Sequence, residues 1–277
     1  MRNLGADPAF VARYEIAEPL AQHPSEQAYR SVDRQSGDTV TVTLFDELGQ
    51  EAAFVAYFRR RARIARDLDH SHLLRTLAYG HAERHYYLVT EYIDGPSLTE
   101  ALLHPARRGV AAGVSLFNGI CAGLAEVHRR ALVHGHLTPD RILLRTGTVA
   151  VVSLGGPPSD PRRDPYGLDL ACLSPEQIAG QTPTAASDIY ALGVLLYHAC
   201  SGALPFLDAD TVTQARRQLH DAPPSPRRLN AAIDPTLESI LLRCLEKDPA
   251  RRYADAAELG AALATLPGGV PIAAADP

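Results

Sequence analysis

The most constraining stretch of the chain is SDIYALGVLLYHAC, at residues 187–200, because almost every position in it is apolar. A helix that is apolar on all sides has to be buried on all sides. Ser187 is a residue type that caps helix N-termini, so we predict a deeply buried helix with Ser187 as its cap. The 277 residues of the chain are enough to surround such a helix, as one large domain or as two lobes.

The two parts of the chain differ in their apolar periodicity. The stretches DTVTVTLF (residues 38–45) and YYLVTEYI (86–93) predict strands. Between them, a helix over about residues 51–68 is predicted, and its apolar face includes Arg61. After Gly95 the pattern becomes helical, apart from two short strands, ILL and VAVV. On the helix at about 51–68, the other positions of the apolar face are Phe54, Tyr57, Ile64 and Leu68. Later helices are predicted near 211–220, 235–246 and 255–263.

Composition narrows the functional classes. The formal charge of -5 argues against a general nucleic-acid binder, since phosphate backbones attract basic surfaces. No apolar run approaches the roughly 18 residues that span a bilayer, so no membrane segment is predicted in this chain. The four cysteines are widely separated and form no CxxC pair, which favours buried free thiols in a reducing compartment. We therefore expect a cytoplasmic protein.

Lysine is nearly absent from the chain. Of its 27 basic residues only Lys247 is a lysine, and the others are arginines. Any mechanism that needs a lysine has to use Lys247. We expect residues 1–12 to be an N-terminal tail, 13–266 to fold, and 267–277 to be a flexible C-terminal tail.

Several motifs occur in an order that resembles the eukaryotic-type serine/threonine protein kinases of bacteria. EYIDGPSL is similar to the hinge, LVHGHLTPDRILL to the catalytic loop, and LSPEQ to the end of the activation segment. SDIYALGVLLYHACSGALPF and CLEKDPARRY are similar to the central helix and the approach to the last helix. The resemblance implies an α+β, two-lobed fold. A small antiparallel-sheet N-lobe with one helix, about 13–92, would precede a larger, mainly helical C-lobe, about 95–266.

The resemblance also shows which catalytic positions are replaced. The Gly-rich loop falls on AQHPSEQ, which has no glycine. The strand lysine falls at Thr43 and its helix glutamate at Arg61. The catalytic-loop aspartate, lysine and asparagine fall at His136, Thr138 and Arg141. The metal-binding aspartate falls at Ser153, and no acidic residue lies between Asp140 and Asp160 to replace it.

Positions that hold the fold together are retained. The resemblance implies that His134 and Leu154 pack the core under the helix. It implies that Asp188 bonds the backbone of the catalytic loop. It implies a buried ion pair between Glu176 and Arg252. Thr90, Glu91 and Ile93 keep a plausible hinge for a nucleotide, although Thr41 would narrow the pocket above the adenine.

Other interpretations stay open from sequence alone. Arg61, His136 and Arg141 could bind a nucleotide or another anion without Mg²⁺, or Arg61 could pair with an acid such as Asp140 and fill the cleft. The pairs His70/His72 and His134/His136 lack a third ligand for zinc. FRRRARIAR is a solvated helix face or a docking site for an acidic or phosphorylated partner. Asp169 stands where a substrate-contacting threonine is expected, leaving Ser159 and Tyr166 as acceptors for another kinase.

Together these features predict a pseudokinase with no catalytic residues, no metal and no obligatory cofactor. It would act as a scaffold or allosteric regulator of a protein partner, such as an active kinase or a phosphoprotein. Two alternatives are an enzyme that reuses the cleft for a different transfer and a sensor of a nucleotide bound independently of metal.

Overall fold

The computed structural model of the chain describes residues 8–23, 26–46, 52–82, 85–103, 110–145, 149–154 and 168–267. An antiparallel sheet of five strands forms the N-lobe: β1 (Tyr14–His23), β2 (Glu26–Asp33), β3 (Thr39–Asp46), β4 (Thr76–Ala82) and β5 (His85–Glu91). Their order in the sheet is β1-β2-β3-β5-β4. The alternating apolar residues of β3 divide the lobe into two cores. Val42 packs in the cluster on one face, and Phe45 stacks against Phe58 on the other, with ring centroids 5.6 Å apart.

The folded part begins before the predicted boundary. Residues Pro8–Arg13 form helix α1, within the segment that we expected to be a tail. Phe10 is buried, and its ring centroid lies 5.3 Å from that of Tyr14 and 4.9 Å from that of Tyr87. The N-lobe therefore has two helices in its described part and not one, because this aromatic cluster covers the outer face of the sheet.

The second helix of the N-lobe, α2 (Ala52–Arg66), lies against the inner face of the sheet. Its buried side is rotated from the prediction by about one residue. Phe58, Ala62 and Ala65 are buried, whereas Tyr57 is 44% exposed. Arg61 does lie on the buried side, as its spacing predicted. The side chain of Phe54 lies outside the described residues.

The C-lobe is built around α7 (Ala185–Ser201), which corresponds to the apolar stretch. Thirteen of its residues are buried, as predicted, but the helix begins earlier than expected. Thr184 is the N-cap, and the Ser187 hydroxyl accepts a hydrogen bond from the Thr184 amide at 3.0 Å. Gly193 permits close packing, because a Cβ there would lie 2.5 Å from Cys244 Cβ.

Helix α4 (Val110–Arg129) packs against α7 and against the last helix. By length and composition it is the one described helix that could cross a membrane, with a mean hydropathy of 1.6. This differs from the expectation that no apolar run was long enough. Half of the 18-residue stretch with this hydropathy is buried inside the lobe.

The later helices and the two short strands occur in the predicted order, and the described part of the C-lobe adds three short helices that were not predicted. Helix α8 has the predicted bounds, and α9 and α10 begin within one residue of theirs. The two short strands pair with each other in antiparallel register. These elements are α3 (Leu98–Leu103), β6 (Ile142–Arg145), β7 (Val149–Val152), α5 (Leu168–Cys172), α6 (Pro175–Ile178), α8 (Thr211–His220), α9 (Pro235–Cys244) and α10 (Ala256–Ala264).

Candidate interlobe site

The segment between α4 and β6 is held from below by Asp188, on the first turn of α7. The carboxylate of Asp188 accepts hydrogen bonds from the amides of His134 and Gly135, at 2.8 and 2.7 Å. Gly135 has a φ of 73°, a conformation that glycine adopts without strain. Burial would raise the pKa of Asp188, but a hydrogen bond from His128 and nearby donors hold it below its usual value. Asp188 therefore sets the path of this loop.

Two histidines complete the support. His128 Nδ1 accepts the amide hydrogen of Ala256, so Nε2 carries the proton that is donated to Asp188 at 2.9 Å. His134 Nε2 lies 2.9 Å from the carbonyl oxygen of Ser153 and donates to it. Burial, together with the positive charge of Arg61, lowers the pKa of His134 to about 3. The imidazole of His134 is therefore neutral and structural.

A buried ion pair joins the segment after α5 to the far side of the C-lobe. Arg252 donates from both terminal nitrogens to the two carboxylate oxygens of Glu176, each at 2.8 Å. The Ser187 hydroxyl donates to the same carboxylate at 2.7 Å. Burial alone would raise the pKa of Glu176, but these hydrogen bonds outweigh it and lower the pKa to about 2. The geometry is that of a charge pair with its remaining acceptors satisfied.

Arg61 crosses from α2 into the C-lobe. Its Nε donates to the carbonyl oxygen of Leu154 at 2.9 Å, and its Nη1 donates to that of Val133 at 2.7 Å and to the Tyr57 hydroxyl at 3.3 Å. The side chain is 5% exposed, and burial lowers the pKa of its guanidinium. No carboxylate among the described residues pairs with Arg61, so the alternative in which it pairs with an acid such as Asp140 is not found there. The positive charge of Arg61 is therefore stabilised by backbone carbonyl oxygens and not by a carboxylate.

Arg141 makes a second contact between the lobes. It ends the short 3-10 turn Pro139–Arg141, and its Nη2 lies 2.9 Å from a carboxylate oxygen of Glu26. Glu26 is the first residue of β2, and both side chains are largely buried, at 12% and 17% exposed. The partner of Arg141 could not be predicted from the sequence, because no local pattern links residues 115 positions apart. Both arginines proposed to bind an anion are thus engaged within the protein.

The other predicted positions lie around this cleft. Thr43 is half-buried on β3, opposite Leu88 of β5, with Thr41 two residues before it. His136 and Thr138 are buried in the loop. The Ser153 amide donates to the Arg141 carbonyl at 2.7 Å, and Leu154 packs in the C-lobe core. The loop therefore brings Ser153 beside Arg141, while Thr43 lies on β3, and the roles assigned to these positions stay predictions.

The hinge residues are also engaged. Glu91 accepts hydrogen bonds from the Arg75 amide at 3.1 Å and from Arg145 at 2.8 Å. Ile93 packs with Leu74 and Leu143. Thr90 is buried, and its hydroxyl has no hydrogen-bond partner among the described residues.

Metal-ligating side chains do not converge in the described part of the chain, where no group of three or more histidine, cysteine or acidic residues occurs. The rings of His70 and His72 lie 5.8 Å apart, and His70 Nδ1 accepts the His72 amide hydrogen at 3.1 Å. Ser159 and Tyr166 lie outside the described residues. Asp169 is buried at the start of α5.

The single lysine lies in the C-lobe, just after α9. Its Nζ donates to the carbonyl oxygen of Gln218 at 2.6 Å and lies 4.0 Å from the ring centroid of Phe206. Burial lowers the pKa of Lys247 to about 8. Lys247 belongs to the packing of α8 and α9, and the cleft positions described above contain no lysine.

Comparison with known proteins agrees with this architecture. Residues 24–261 match the family described as "Protein kinase domain". The chain is 28% identical to the serine/threonine-protein kinase PrkC of Bacillus subtilis, over 91% of this chain and 40% of that protein. It is 31% identical to SCO3848 of Streptomyces coelicolor, named a probable serine/threonine-protein kinase, over 95% of this chain and 41% of that protein.

A third relative is the serine/threonine-protein kinase PknB of Mycolicibacterium smegmatis, at 28% identity over 91% of this chain and 42% of that protein. The chain thus spans about two fifths of the length of these three relatives. With the five-stranded lobe, the helical lobe and the loop held by Asp188, these matches show that the chain belongs to the protein kinase domain family, among the bacterial eukaryotic-type serine/threonine kinases.

Proposed function

We propose that this domain is a pseudokinase that acts by binding a protein partner, as a scaffold or as an allosteric regulator of an active kinase or another signalling protein. The observation that supports this most is the position of Arg61. In an active kinase the corresponding helix residue is a glutamate that orients the phosphate-binding lysine. Here the guanidinium is buried and donates to the carbonyls of Leu154 and Val133 instead.

The rest of the cleft supports the same proposal. Phosphoryl transfer depends on charge neutralisation by Mg²⁺ and lysine and on positioning of the phosphates. Thr43 and Ser153 stand at the lysine and metal-binding positions, and Arg141 forms an ion pair with Glu26. His136 could serve as a base, but a base accelerates little when no phosphate is held beside it.

The alternatives receive less support. A metal-independent anion site or a different transfer reaction would need Arg61 and Arg141 to turn toward the ligand. Arg61 would have to leave two carbonyl acceptors, and Arg141 would have to leave a carboxylate. Both losses would have to be offset by the incoming anion.

The transfer test uses ATP labelled at the γ-phosphate and, separately, at the α-phosphate, with Mg²⁺ or Mn²⁺ and a generic protein acceptor. The kinase PrkC of Bacillus subtilis, assayed alongside, shows that the acceptor and conditions support transfer. We expect no incorporation of either label by this chain. Incorporation that disappears in His136→Ala would replace our proposal with the enzyme interpretation.

Nucleotide binding is tested separately by thermal unfolding with ATP or ADP, each with Mg²⁺ and with chelator. A ligand at 100 times its dissociation constant stabilises the folded state by about 2.7 kcal/mol, which is easily visible as a shift in Tm. We expect no shift. A shift that survives chelation and is lost in Arg61→Ala would favour the sensor interpretation.

A further inference from the structure

Positive charge is concentrated on α2. The helix contains five arginines, at positions 59, 60, 61, 63 and 66, and no acidic residue. The chain as a whole has a formal charge of -5. Like charges three and four residues apart repel each other and destabilise an isolated helix. The arrangement therefore works against the stability of α2 in the free protein, and a bound anion would relieve it.

Only some of these arginines have a structural role. Arg61 points inward, as described above. Arg66 lies over the ring of Tyr79, 5.9 Å from its centroid. Arg59, Arg60 and Arg63 are exposed, and within the described ranges no carboxylate pairs with any of them. These three guanidinium groups are available to an external ligand.

The three arginines line a concave surface. An open surface depression of about 460 Å³ lies between α2 and β4, lined by Ala56, Arg59, Arg60, Arg63 and Tyr79. We call it the α2–β4 groove. A depression of this volume can accommodate one side chain, whereas a membrane presents an extended surface. The shape therefore favours a discrete anionic group on a protein.

A phosphate group matches this lining better than a carboxylate does. A phosphorylated side chain carries a charge of about -1.5 to -2 and three acceptor oxygens near neutral pH. Guanidinium forks bind phosphate oxygens bidentately, and several arginines can share one phosphate. A single carboxylate would leave most of the positive charge in the groove unbalanced.

We propose that the α2–β4 groove binds a phosphorylated side chain of a protein partner. The inference deepens the proposed function and rests on its partner-binding part, since it assigns a surface and a chemistry to that partner. It does not depend on whether the cleft is inert, because the groove lies on the side of α2 away from Arg61.

The binding experiment immobilises the full chain and offers it a pool of phosphoserine peptides with randomised flanking residues. The same pool with unmodified serine, and a pool with glutamate in its place, are the comparisons. We expect the phosphoserine pool to be retained and the serine pool not. Selected peptides are then measured by fluorescence anisotropy against protein variants.

The variant Arg59→Gln/Arg60→Gln/Arg63→Gln is expected to bind at least about tenfold more weakly, because it removes all three guanidinium groups. The matched variant Arg59→Lys/Arg60→Lys/Arg63→Lys keeps the charge but loses the guanidinium fork. Its affinity should therefore lie between those of the wild type and the Gln triple variant. Arg216→Gln, an exposed arginine on α8, should bind like the wild type. Because all three side chains are exposed, the Gln variant should unfold at the wild-type temperature or above it.

Three results would overturn the inference. These are failure to retain the phosphoserine pool, equal retention of the unmodified pool, and full affinity in the Gln triple variant. Binding to vesicles of phosphatidylcholine and phosphatidylserine without binding to peptides would replace it with a membrane site. The labelled-ATP assay on the same preparations reports on the inert cleft alone, so the two proposals can fail independently.

Discussion

At the scale of single residues, Arg61 is in an unusual position for a positive charge. Isolated buried charges are costly, and the usual remedy is an oppositely charged partner. Here two carbonyl dipoles and a hydroxyl take that role, from Leu154, Val133 and Tyr57. The contact with Leu154 spans 93 positions of the chain and that with Val133 spans 72, so the side chain links the two lobes.

Replacing Arg61 by alanine tests the energetic value of this link. We expect Arg61→Ala to lower the free energy of unfolding by about 2–4 kcal/mol, since charged hydrogen bonds contribute about 1.5–3 kcal/mol each and the relief of burial offsets part of the loss. Urea unfolding followed by circular dichroism measures it. Arg60→Ala, on the exposed side of α2, is the control and should change little. An unchanged midpoint in Arg61→Ala would contradict the structural role.

The Glu176–Arg252 pair makes a prediction about pH. The pKa of Glu176 is about 2 in the folded protein, against an ordinary value of 4.5. A lowered carboxyl pKa stabilises the fold above the unfolded pKa, and that stabilisation is lost as pH falls from about 5 to 2. The shift corresponds to about 3 kcal/mol.

Glu176→Gln should remove this contribution and leave Arg252 buried without its counter-charge, at a total cost of about 3–5 kcal/mol near neutral pH. Chemical unfolding at a series of pH values measures it. The difference between wild type and Glu176→Gln should shrink as the pH approaches the folded pKa. A difference that is constant with pH would show that the pair does not carry the acid sensitivity.

At the scale of elements, α1 shows how a short helix can become part of a lobe. Six residues are too few for a stable isolated helix, so its stability comes from packing. Phe10 supplies that packing through its contacts with Tyr14 and Tyr87. Arg13, at the end of the helix, also donates to Asp33 at 3.0 Å, which ties α1 to the edge of the sheet.

The expected effect of Phe10→Ala is a loss of about 3–5 kcal/mol, the usual range for removing a buried phenyl ring. Val11→Ala, next to it and 40% exposed, should change the free energy of unfolding by less than about 0.5 kcal/mol. Both are measured by denaturant unfolding. If the two variants behaved alike, residues 8–13 would be the dispensable tail that the sequence predicted.

The packing of α2 on the sheet explains why its buried side differs from the predicted one. Apolar spacing placed Tyr57 on the buried face, but Tyr57 is exposed and Phe58 is buried. Adjacent aromatic residues give two registers of similar apolar periodicity. The packing of Phe58 against Phe45 and Tyr86 decides between them, at centroid distances of 5.6 and 5.3 Å.

At the scale of the whole molecule, two arginines hold the lobes in one relative position. Arg61 on α2 donates to the carbonyl oxygen of Leu154 in the C-lobe, and Arg141 in the Pro139–Arg141 turn pairs with Glu26 in the N-lobe. Active kinases close around a nucleotide and its metal. In this chain, contacts between the lobes come from side chains of the protein itself.

A double-mutant cycle on Glu26 and Arg141 measures the second of these contacts. For a partly buried pair at 2.9 Å we expect a coupling energy of about 0.5–3 kcal/mol from Glu26→Gln, Arg141→Gln and the double variant. Hydrogen exchange should quicken in both singles at β2 and at the Pro139–Arg141 turn, while α7 stays protected. Coupling near zero would indicate that the pair does not join the lobes.

The fold class and the order of elements were predictable from the sequence, because local apolar periodicity specifies them. The stretch at 187–200 had to be a core helix, and α8 has its predicted bounds, Thr211–His220. The assignment of Thr43, His136 and Ser153 to replaced catalytic positions rests on motif order and stays a prediction.

Only the tertiary structure decided what the arginines do. A guanidinium on a buried stripe could have faced a phosphate, an acid or a carbonyl, and each choice has the same sequence pattern. The partners of Arg61 and Arg141 are distant in the chain and lie on the opposite lobe. Local periodicity determines which face of an element is buried, whereas the packing of the lobes determines which polar atoms meet there, and that depends on every contact at once.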